Sequence, residues 1–242
     1  MIKREIQNSI LADFKRKKVI VLLGARQVGK TTLLLSLQSD KERVLSLNCD
    51  NIDDRLLLEA RTSTELKYLL SSYDMAFIDE AQRVKNIGLT LKMISDLKLD
   101  TQIVVTGSSS FDMANEINEP ATGRLIEYNL YPFSLAELAA DTSEREEKRL
   151  LKNRLIYGLY PEVVTEPADA KRTLMSLTNN YLYKDLFSYK GLKKPDVIQK
   201  LVRALALQLG SEVSYNELSN LLGIDKETVE NYICLLEKCF VV

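Results

Sequence analysis

Residues 24–31, GARQVGKT, constrain this chain more than any other stretch because they match the phosphate-binding pattern G-x-x-x-x-G-K-S/T at every fixed position. Before them, the apolar and β-branched run 19–23 predicts a buried strand. After them, the leucine-rich run 32–37 predicts a helix packed on a sheet. Strand, glycine-rich loop and helix thus follow one another in the order that phosphate binding requires.

The residue types of this loop suit their expected roles. Gly24 and Gly29 allow the backbone to curl so that successive N–H groups point at phosphate oxygens, and the following helix adds its positive N-terminal end. We expect Lys30 to reach the β- and γ-phosphates during catalysis, and the Thr31 hydroxyl to hold Mg²⁺. The predicted nucleotide-binding residues are Gly24, Ala25, Arg26, Gln27, Val28, Gly29, Lys30, Thr31 and Thr32.

A second part of the site is predicted where the apolar run 75–78 ends in two carboxylates, Asp79 and Glu80. At the end of a strand, Asp79 can hold the coordination shell of Mg²⁺, and Glu80 can orient and deprotonate an attacking water. Such a pair is a common surface turn when it stands alone. Downstream of a phosphate-binding loop, it favours a site that hydrolyses a nucleoside triphosphate.

Two later stretches contain further candidates. Residues 101–107 predict a strand followed by hydroxyl side chains, and ligands of parallel sheets bind at the carboxyl ends of the strands. Ser108, or less favourably Thr106, is therefore a candidate sensor of the γ-phosphate, with a polar turn as an equal alternative. Arg124 lies where a turn leads into a predicted fifth strand, and it can complete an ATP site of its own chain or of a neighbour. A structural salt bridge is the alternative for Arg124.

The composition excludes several classes of site. The chain has no histidine, so it can form neither a Ser-His-Asp triad nor a histidine-ligated zinc site, and acid–base chemistry falls to carboxylates, lysines or tyrosines. Cys49, Cys234 and Cys239 lack metal or redox spacing, which predicts reduced thiols. A net charge of −1 argues against a surface built throughout to bind nucleic acid. No apolar run is long enough for a membrane span, so we expect a cytoplasmic protein without a membrane partner.

The composition changes near Glu166 and Pro167, which predicts two parts. Residues 1–165 alternate strands with helices, whereas residues 166–242 are almost entirely helical. Near the end, Ser214 caps one predicted helix, Gly223 provides a turn and Asp225 caps another helix, which is the plan of a helix-turn-helix.

The helix-turn-helix pattern leaves two interpretations open. DNA binding would place the second helix in the major groove, but its first turns hold Asp225, Glu227 and Glu230 against Lys226, and this negative charge opposes the phosphates. A helical packing or partner-binding module is at least as well supported. The better basic candidates precede the motif: Lys184, Lys190, Lys193 and Lys194. The earlier basic cluster at 15–18 is better explained as a solvated turn than as a phosphate contact.

Several motifs in this order resemble one family. They are GARQVGKTTLL at 24–34, FIDEAQ at 77–82, TGSS at 106–109, GR at 123–124, YPFSL at 131–135 and GLYPEV at 158–163. Together they are similar to the prokaryotic AAA-type P-loop ATPases that carry a winged helix and a C-terminal domain of unknown function. The resemblance covers essentially the whole chain.

The resemblance implies a fold and a set of roles. The fold is α/β, a P-loop NTPase core of the additional-strand type with parallel sheet order 5-1-4-3-2, followed by an all-α lid and an incomplete winged helix. The resemblance also implies ATP with Mg²⁺, Asp79 as the metal carboxylate, Glu80 as the base and Arg124 as an arginine-finger-like residue. Relatives usually continue past the winged helix, whereas this chain stops at residues 240–242, where a wing strand would begin. Any activity of a further domain is therefore not assigned.

Three hypotheses about function follow. The first is a Mg²⁺-dependent ATPase whose nucleotide state is coupled to the helical region. The second is a slowly hydrolysing, nucleotide-dependent switch that binds a protein partner, and the third is an ATP-dependent DNA-processing factor. A small-molecule kinase fits less well, because the Asp79–Glu80 pair suits water activation. Action of Arg124 on a neighbouring chain would require an oligomer.

Overall fold

The computed structural model describes residues 1–38, 43–107, 123–179 and 195–242. The chain forms two compact units, Met1–Leu174 and Met175–Val242. The composition change near 166 does not coincide with this division, because residues beyond it still pack in the first unit. Ala170 and Thr173 are buried, and Pro167 and Ala170 line a small cavity of about 110 Å³ together with Tyr157.

The first unit is built on a five-stranded parallel sheet. Its strands are β1 Val19–Leu23, β2 Val44–Asn48, β3 Met75–Asp79, β4 Gln102–Gly107 and β5 Leu125–Asn129. Their spatial order is β2-β3-β4-β1-β5, and all four neighbouring pairs are parallel. This is the predicted order 5-1-4-3-2 viewed from the other edge, so the prediction of the sheet is confirmed.

Burial along the strands follows from their position in the sheet. Every residue of the central strands β1 and β4 is buried, and β3 is buried except for Asp79 at its end. The edge strands β2 and β5 mix exposed and partly buried positions, and Leu47 of β2 is the one fully buried residue of the two. Continuous apolar strands covered on both faces are typical of parallel sheets, which place their ligands at the carboxyl edge.

Nine α-helices are described up to residue 177, and the last of them crosses the boundary between the two units. They are α1 Ile6–Asp13, α2 Lys30–Leu37, α3 Ile52–Leu56, α4 Ser63–Leu70, α5 Ile87–Asp96, α6 Leu135–Asp141, α7 Glu144–Tyr157, α8 Pro161–Thr165 and α9 Ala170–Leu177. Helices α4 and α6 begin at reciprocal capping boxes, Thr62 with Glu65 and Ser134 with Glu137. The spacing of Ile2, Ile6, Ile10 and Phe14 predicts one helix, but α1 is shorter than that, and Arg4 before it instead contacts Val28 and Glu137.

The second unit contains three described helices, α10 Pro195–Ala206, α11 Tyr215–Leu222 and α12 Lys226–Lys238. Gly223 has a φ of 64° and ends α11 in the left-handed conformation, and Asp225 caps α12. Helix, turn and helix therefore follow one another as predicted, with Leu218 of α11 and Val229 of α12 buried. Within residues 195–242 the structure contains no strand.

Among the described residues, no helix combines the length and the apolar character that crossing a membrane requires. Two predictions lie outside the described residues: the role of Ser108, and that of the basic residues Lys184, Lys190, Lys193 and Lys194.

Candidate functional site

The phosphate-binding loop after β1 packs against the segment after β5, and this contact restricts the shape of the loop. The Leu130 backbone N–H donates to the Leu23 carbonyl at 2.7 Å, which brings residue 130 against the start of the loop. A Cβ atom on Gly24 would lie 2.3 Å from the Leu130 carbonyl oxygen, closer than real atoms approach. Gly24 is therefore required by a close approach of two backbones, and not by a left-handed turn, since its φ is not positive.

This contact makes Gly24→Ala a test of the loop. We expect the substitution to lower stability by about 1–3 kcal/mol through overpacking, and to weaken nucleotide binding because the loop must shift. Thermal unfolding and titration with a fluorescent ATP analogue would measure the two effects.

Gly223→Ala is the matched control. It forces alanine into a left-handed backbone at a cost of about 1–2 kcal/mol, but no atom lies within 4 Å of its new Cβ. It should lower stability and leave nucleotide affinity intact. Wild-type stability and affinity in Gly24→Ala would contradict the proposed contact.

The loop ends in a helix N-terminus. Gly29 has a φ of 93° and is the N-cap of α2, whose first residue is Lys30. Gln27 is also left-handed, with a φ of 62°. The Lys30 side chain is only 5% exposed, and its Nζ donates to the carbonyl oxygens of Gly24 and Ala25 at 2.9 Å each. The Lys30 ammonium group therefore lies inside the phosphate-binding loop, and Lys30 itself stands at the end of that loop.

Hydroxyl groups join the end of β3 to this loop on one side and to the end of β4 on the other. Thr31 Oγ1 donates to Asp79 Oδ2 at 2.7 Å, and Thr106 Oγ1 donates to Asp79 Oδ1. Thr106 Oγ1 also accepts from the Glu80 N–H at 3.2 Å. The two residues predicted to hold the metal are therefore in direct contact. Fully buried Thr106, the less favoured of the two sensor candidates, connects both carboxylate-bearing residues.

Glu80 leaves the strand in an unusual conformation. Its φ of 53° and ψ of 40° are left-handed, which is uncommon for a residue other than glycine and is often found at functional sites. Its Oε2 accepts a hydrogen bond from Gln82 Nε2 at 2.6 Å. The Asp79 carboxylate is bound by Thr31 and Thr106, whereas the Glu80 carboxylate is bound by Gln82, so the two carboxylates have separate partners although the residues are adjacent. The role of Gln82 was not predicted, and only its place in the motif at 77–82 could have suggested it.

The environment of Cys49 agrees with the prediction of a reduced thiol. Its backbone N–H donates to the Asp79 carbonyl at 2.9 Å, so it lies next to the carboxylate pair. Burial, together with nearby carboxylates such as Asp54, raises the pKa of the Cys49 thiol to about 12. The thiol therefore stays protonated at neutral pH, and the structure gives it no nucleophilic role.

The structure does not bring Arg124 to this site. Strand β5 runs parallel to β1 and begins with Leu125 opposite Val19, so Arg124 lies at the amino edge of the sheet, whereas the loop follows the carboxyl edge. Arg124 Nε instead binds Asp96 Oδ1 at 2.7 Å. Arg124 thus lies away from the loop of its own chain and forms a salt bridge, which was the alternative interpretation. Its action on a neighbouring chain stays a prediction.

A cavity of about 330 Å³ lies beside the loop. Its walls are mostly apolar and come from the N-terminal segment, the loop, α2 and the segments near Phe133 and Pro161. Ile2, Gly29 and Thr32 are among the lining residues. The sequence assigned residues 2–5 only to a helix, so it missed this contribution, for which no local pattern gives a signal.

Two family models and several known proteins match this chain. The family model described as an AAA domain matches residues 16–139, and a model described as a domain of unknown function (DUF8612) matches residues 148–242. An uncharacterized protein of Haemophilus influenzae is 28% identical over 264 residues, covering 99% of this chain and 65% of that protein. An uncharacterized protein of Methanocaldococcus jannaschii is 26% identical, covering 99% of this chain and 58% of that protein. The chain thus spans less than two thirds of the length of these two relatives.

A solved structure is also similar. The Walker-type ATPase of Pyrococcus abyssi superimposes with a TM-score of 0.68, covering 99% of this chain and 90% of that one. Sequence identity is 14%, so the similarity is one of fold.

Proposed function

The chain belongs to the AAA domain family, and on that premise we propose that it binds ATP with Mg²⁺ and hydrolyses the bond between the β- and γ-phosphates. The observation that carries the proposal is the contact of Thr31 with Asp79 at 2.7 Å, directly after the phosphate-binding loop. A loop threonine, a strand-end aspartate and an adjacent glutamate are the parts that ATP hydrolysis by this type of site requires.

The donor atoms at this contact suit Mg²⁺. Magnesium prefers hard oxygen ligands and is commonly held by one or two protein oxygens, substrate phosphates and water. Thr31 Oγ1 and Asp79 Oδ2 are such oxygens, and Thr31 is exposed at the sheet edge. When bound there, the ion would neutralise charge on the β- and γ-phosphate oxygens. Thr106 would keep the Asp79 carboxylate oriented through its own hydrogen bond.

The other residues of the site would have separate roles in hydrolysis. Glu80 would accept a proton from the water that attacks the γ-phosphorus, while the bond to the β–γ bridging oxygen breaks and ADP leaves. Lys30 would exchange the carbonyls of Gly24 and Ala25 for phosphate oxygens, since its ammonium already lies inside the loop. The loop N–H groups and the N-terminus of α2 would stabilise the negative charge that is transferred.

The cavity beside the loop supports a nucleotide rather than a bare phosphate ligand. Its volume of about 330 Å³ lies within the range of small-molecule sites, and its apolar walls suit a planar base. Gly29 and Thr32 border both the loop and the cavity, so a ligand can occupy the two together. We therefore propose that the base of ATP lies between the N-terminal segment and α2.

A second candidate function is a slowly hydrolysing switch that signals to a protein partner. The hydrogen bond from Gln82 to Glu80 favours it, because this bond occupies Glu80 Oε2, an oxygen that an attacking water would otherwise contact. No observation in the described second unit favours duplex DNA, since Asp225 caps α12 and Lys226 pairs with Glu230 at 3.5 Å.

Steady-state release of phosphate from ATP tests these alternatives. We expect turnover above the rate without protein, loss of that turnover when EDTA removes Mg²⁺, and no change when duplex DNA is added at low or moderate salt. Tight ATP binding with turnover near background would favour the switch. Stimulation by DNA that falls with salt would favour the DNA-processing alternative. Absence of ATP binding would refute all three.

A further inference from the structure

Arg4 is a buried cation that joins three distant segments of the first unit. The residue is 7% exposed, and its Nη1 donates to the Val28 carbonyl oxygen at 2.9 Å. Its Nη2 donates to the Tyr131 carbonyl, and its Nε donates to Glu137 Oε1 at 2.9 Å. A buried charge is costly unless it is paired and hydrogen-bonded, so this set of contacts defines one position for the side chain.

Glu137 anchors the arginine from the opposite side. Its Oε1 also accepts from the Glu5 backbone N–H at 2.9 Å, while its Oε2 accepts from the Ser134 N–H at 2.9 Å in the capping box of α6. The Phe133 ring lies under the guanidinium, with 4.7 Å between the Arg4 Cζ and the ring centroid. The guanidinium is therefore held by carboxylate, carbonyls and ring at once, and its charge is balanced by Glu137.

The hydrogen bond from Arg4 to the Val28 carbonyl fixes the direction of the next backbone N–H group, that of Gly29. In a trans peptide, the carbonyl of one residue and the N–H of the next point in opposite directions. An arginine that fixes the Val28 carbonyl on one side of the loop therefore turns the Gly29 N–H towards the other side. Loop N–H groups that converge on one side form an anion-binding concavity.

We infer that Arg4 is a positioning residue for phosphate binding, which aims the Gly29 N–H through its hydrogen bond to the Val28 carbonyl. Arg4 does this without touching the phosphates. The inference rests on the proposed function, because phosphate binding is the property that the arrangement supports. It assigns a role in the nucleotide site to the N-terminal segment that precedes the phosphate-binding motif by about twenty residues.

Arg4→Lys is the direct test, because lysine keeps the charge opposite Glu137 but cannot reach several partners as the planar guanidinium does. We expect the affinities for ADP and for inorganic pyrophosphate both to fall about tenfold, since one charge-assisted hydrogen bond that orders the loop is lost. Isothermal titration would measure both ligands with wild type and variant. Pyrophosphate is included because it has no base to occupy the cavity that Arg4 also lines.

Arg154→Lys is the matched control. Arg154 forms a second, largely buried pair in the same unit, with Nε and Nη2 each 3.0 Å from the Glu147 carboxylate of its own helix α7. We expect it to lower the unfolding temperature and to leave both affinities unchanged. If Arg4→Lys does not fold, Glu137→Gln is used, which leaves Arg4 in place and should weaken both ligands in the same direction by a smaller factor.

Three results would overturn the inference. They are unchanged affinities in Arg4→Lys, a loss for ADP without a loss for pyrophosphate, and an equal loss in Arg154→Lys. The second result would place the effect in the cavity, and the third would attribute it to general stability. Wild-type protein that binds neither ligand would instead refute the proposed function.

Discussion

Replacement of Glu80 by glutamine is expected to leave ATP binding intact and to slow hydrolysis by about a hundredfold to ten-thousandfold. Glutamine has nearly the shape of glutamate, so the left-handed backbone and the neighbouring Asp79 contacts are retained. It cannot accept the proton of the attacking water, because its amide is not basic. Single-turnover phosphate release, with ATP affinity measured separately, would show the effect in the chemical step alone.

The control for this prediction is Glu127→Gln. Glu127 is exposed on the edge strand β5, and the substitution makes the same chemical change away from the loop. We expect its turnover and its ATP affinity to equal those of the wild type. If Glu80→Gln hydrolyses ATP at a near-normal rate, another group activates the water and the assignment of Glu80 is lost.

Replacement of Lys30 by methionine is expected to weaken ATP binding by about a hundredfold. Charge-assisted hydrogen bonds to phosphate contribute about 1.5–3 kcal/mol each, and methionine preserves most of the side-chain volume while removing the ammonium. The folded structure should persist, since the substitution places an apolar chain in a nearly fully buried position. Equilibrium titration with ATP and thermal unfolding in its absence would separate affinity from stability.

Lys18→Met is the matched control for Lys30→Met. Lys18 also donates to a backbone carbonyl, that of Gly123 at 2.8 Å, but it lies before β1 rather than after it. The control variant should bind ATP as the wild type does. Wild-type affinity in Lys30→Met would mean that the ammonium stays with the carbonyls of Gly24 and Ala25 when nucleotide is bound, which would refute its proposed role.

Local sequence predicted the elements of the first unit well, because each is specified within a short window. The run 19–23 is apolar throughout, since a central parallel strand is covered on both faces, and it forms β1. The capping boxes at Thr62 and Ser134 start α4 and α6, because the side chain and the N–H that it caps are only three residues apart. The order of strands is not local, and it came instead from the family resemblance.

The site could be predicted only in part, because some of its contacts join residues that are far apart in the sequence. The loop and the Asp79–Glu80 pair were identified because each is a contiguous motif whose chemistry is contained in its own residues. The direct contact of Thr31 with Asp79, 48 positions apart, is visible only in the folded chain. Arg124 shows the opposite case, since its residue type suits an ATP site, whereas the register of β5 places it at the far edge of the sheet.

The sequence by itself thus determined the phosphate-binding loop, the catalytic carboxylate candidates and the alternation of strands and helices, because these depend on neighbours along the chain. Only the tertiary structure decided which edge of the sheet each residue occupies, why Gly24 must lack a side chain, and that Arg4 binds Glu137 across 133 positions. Hydrogen bonds and close packing act between atoms that are near each other in space. Parallel strands bring together residues that are far apart in the sequence, and no local sequence pattern specifies those contacts.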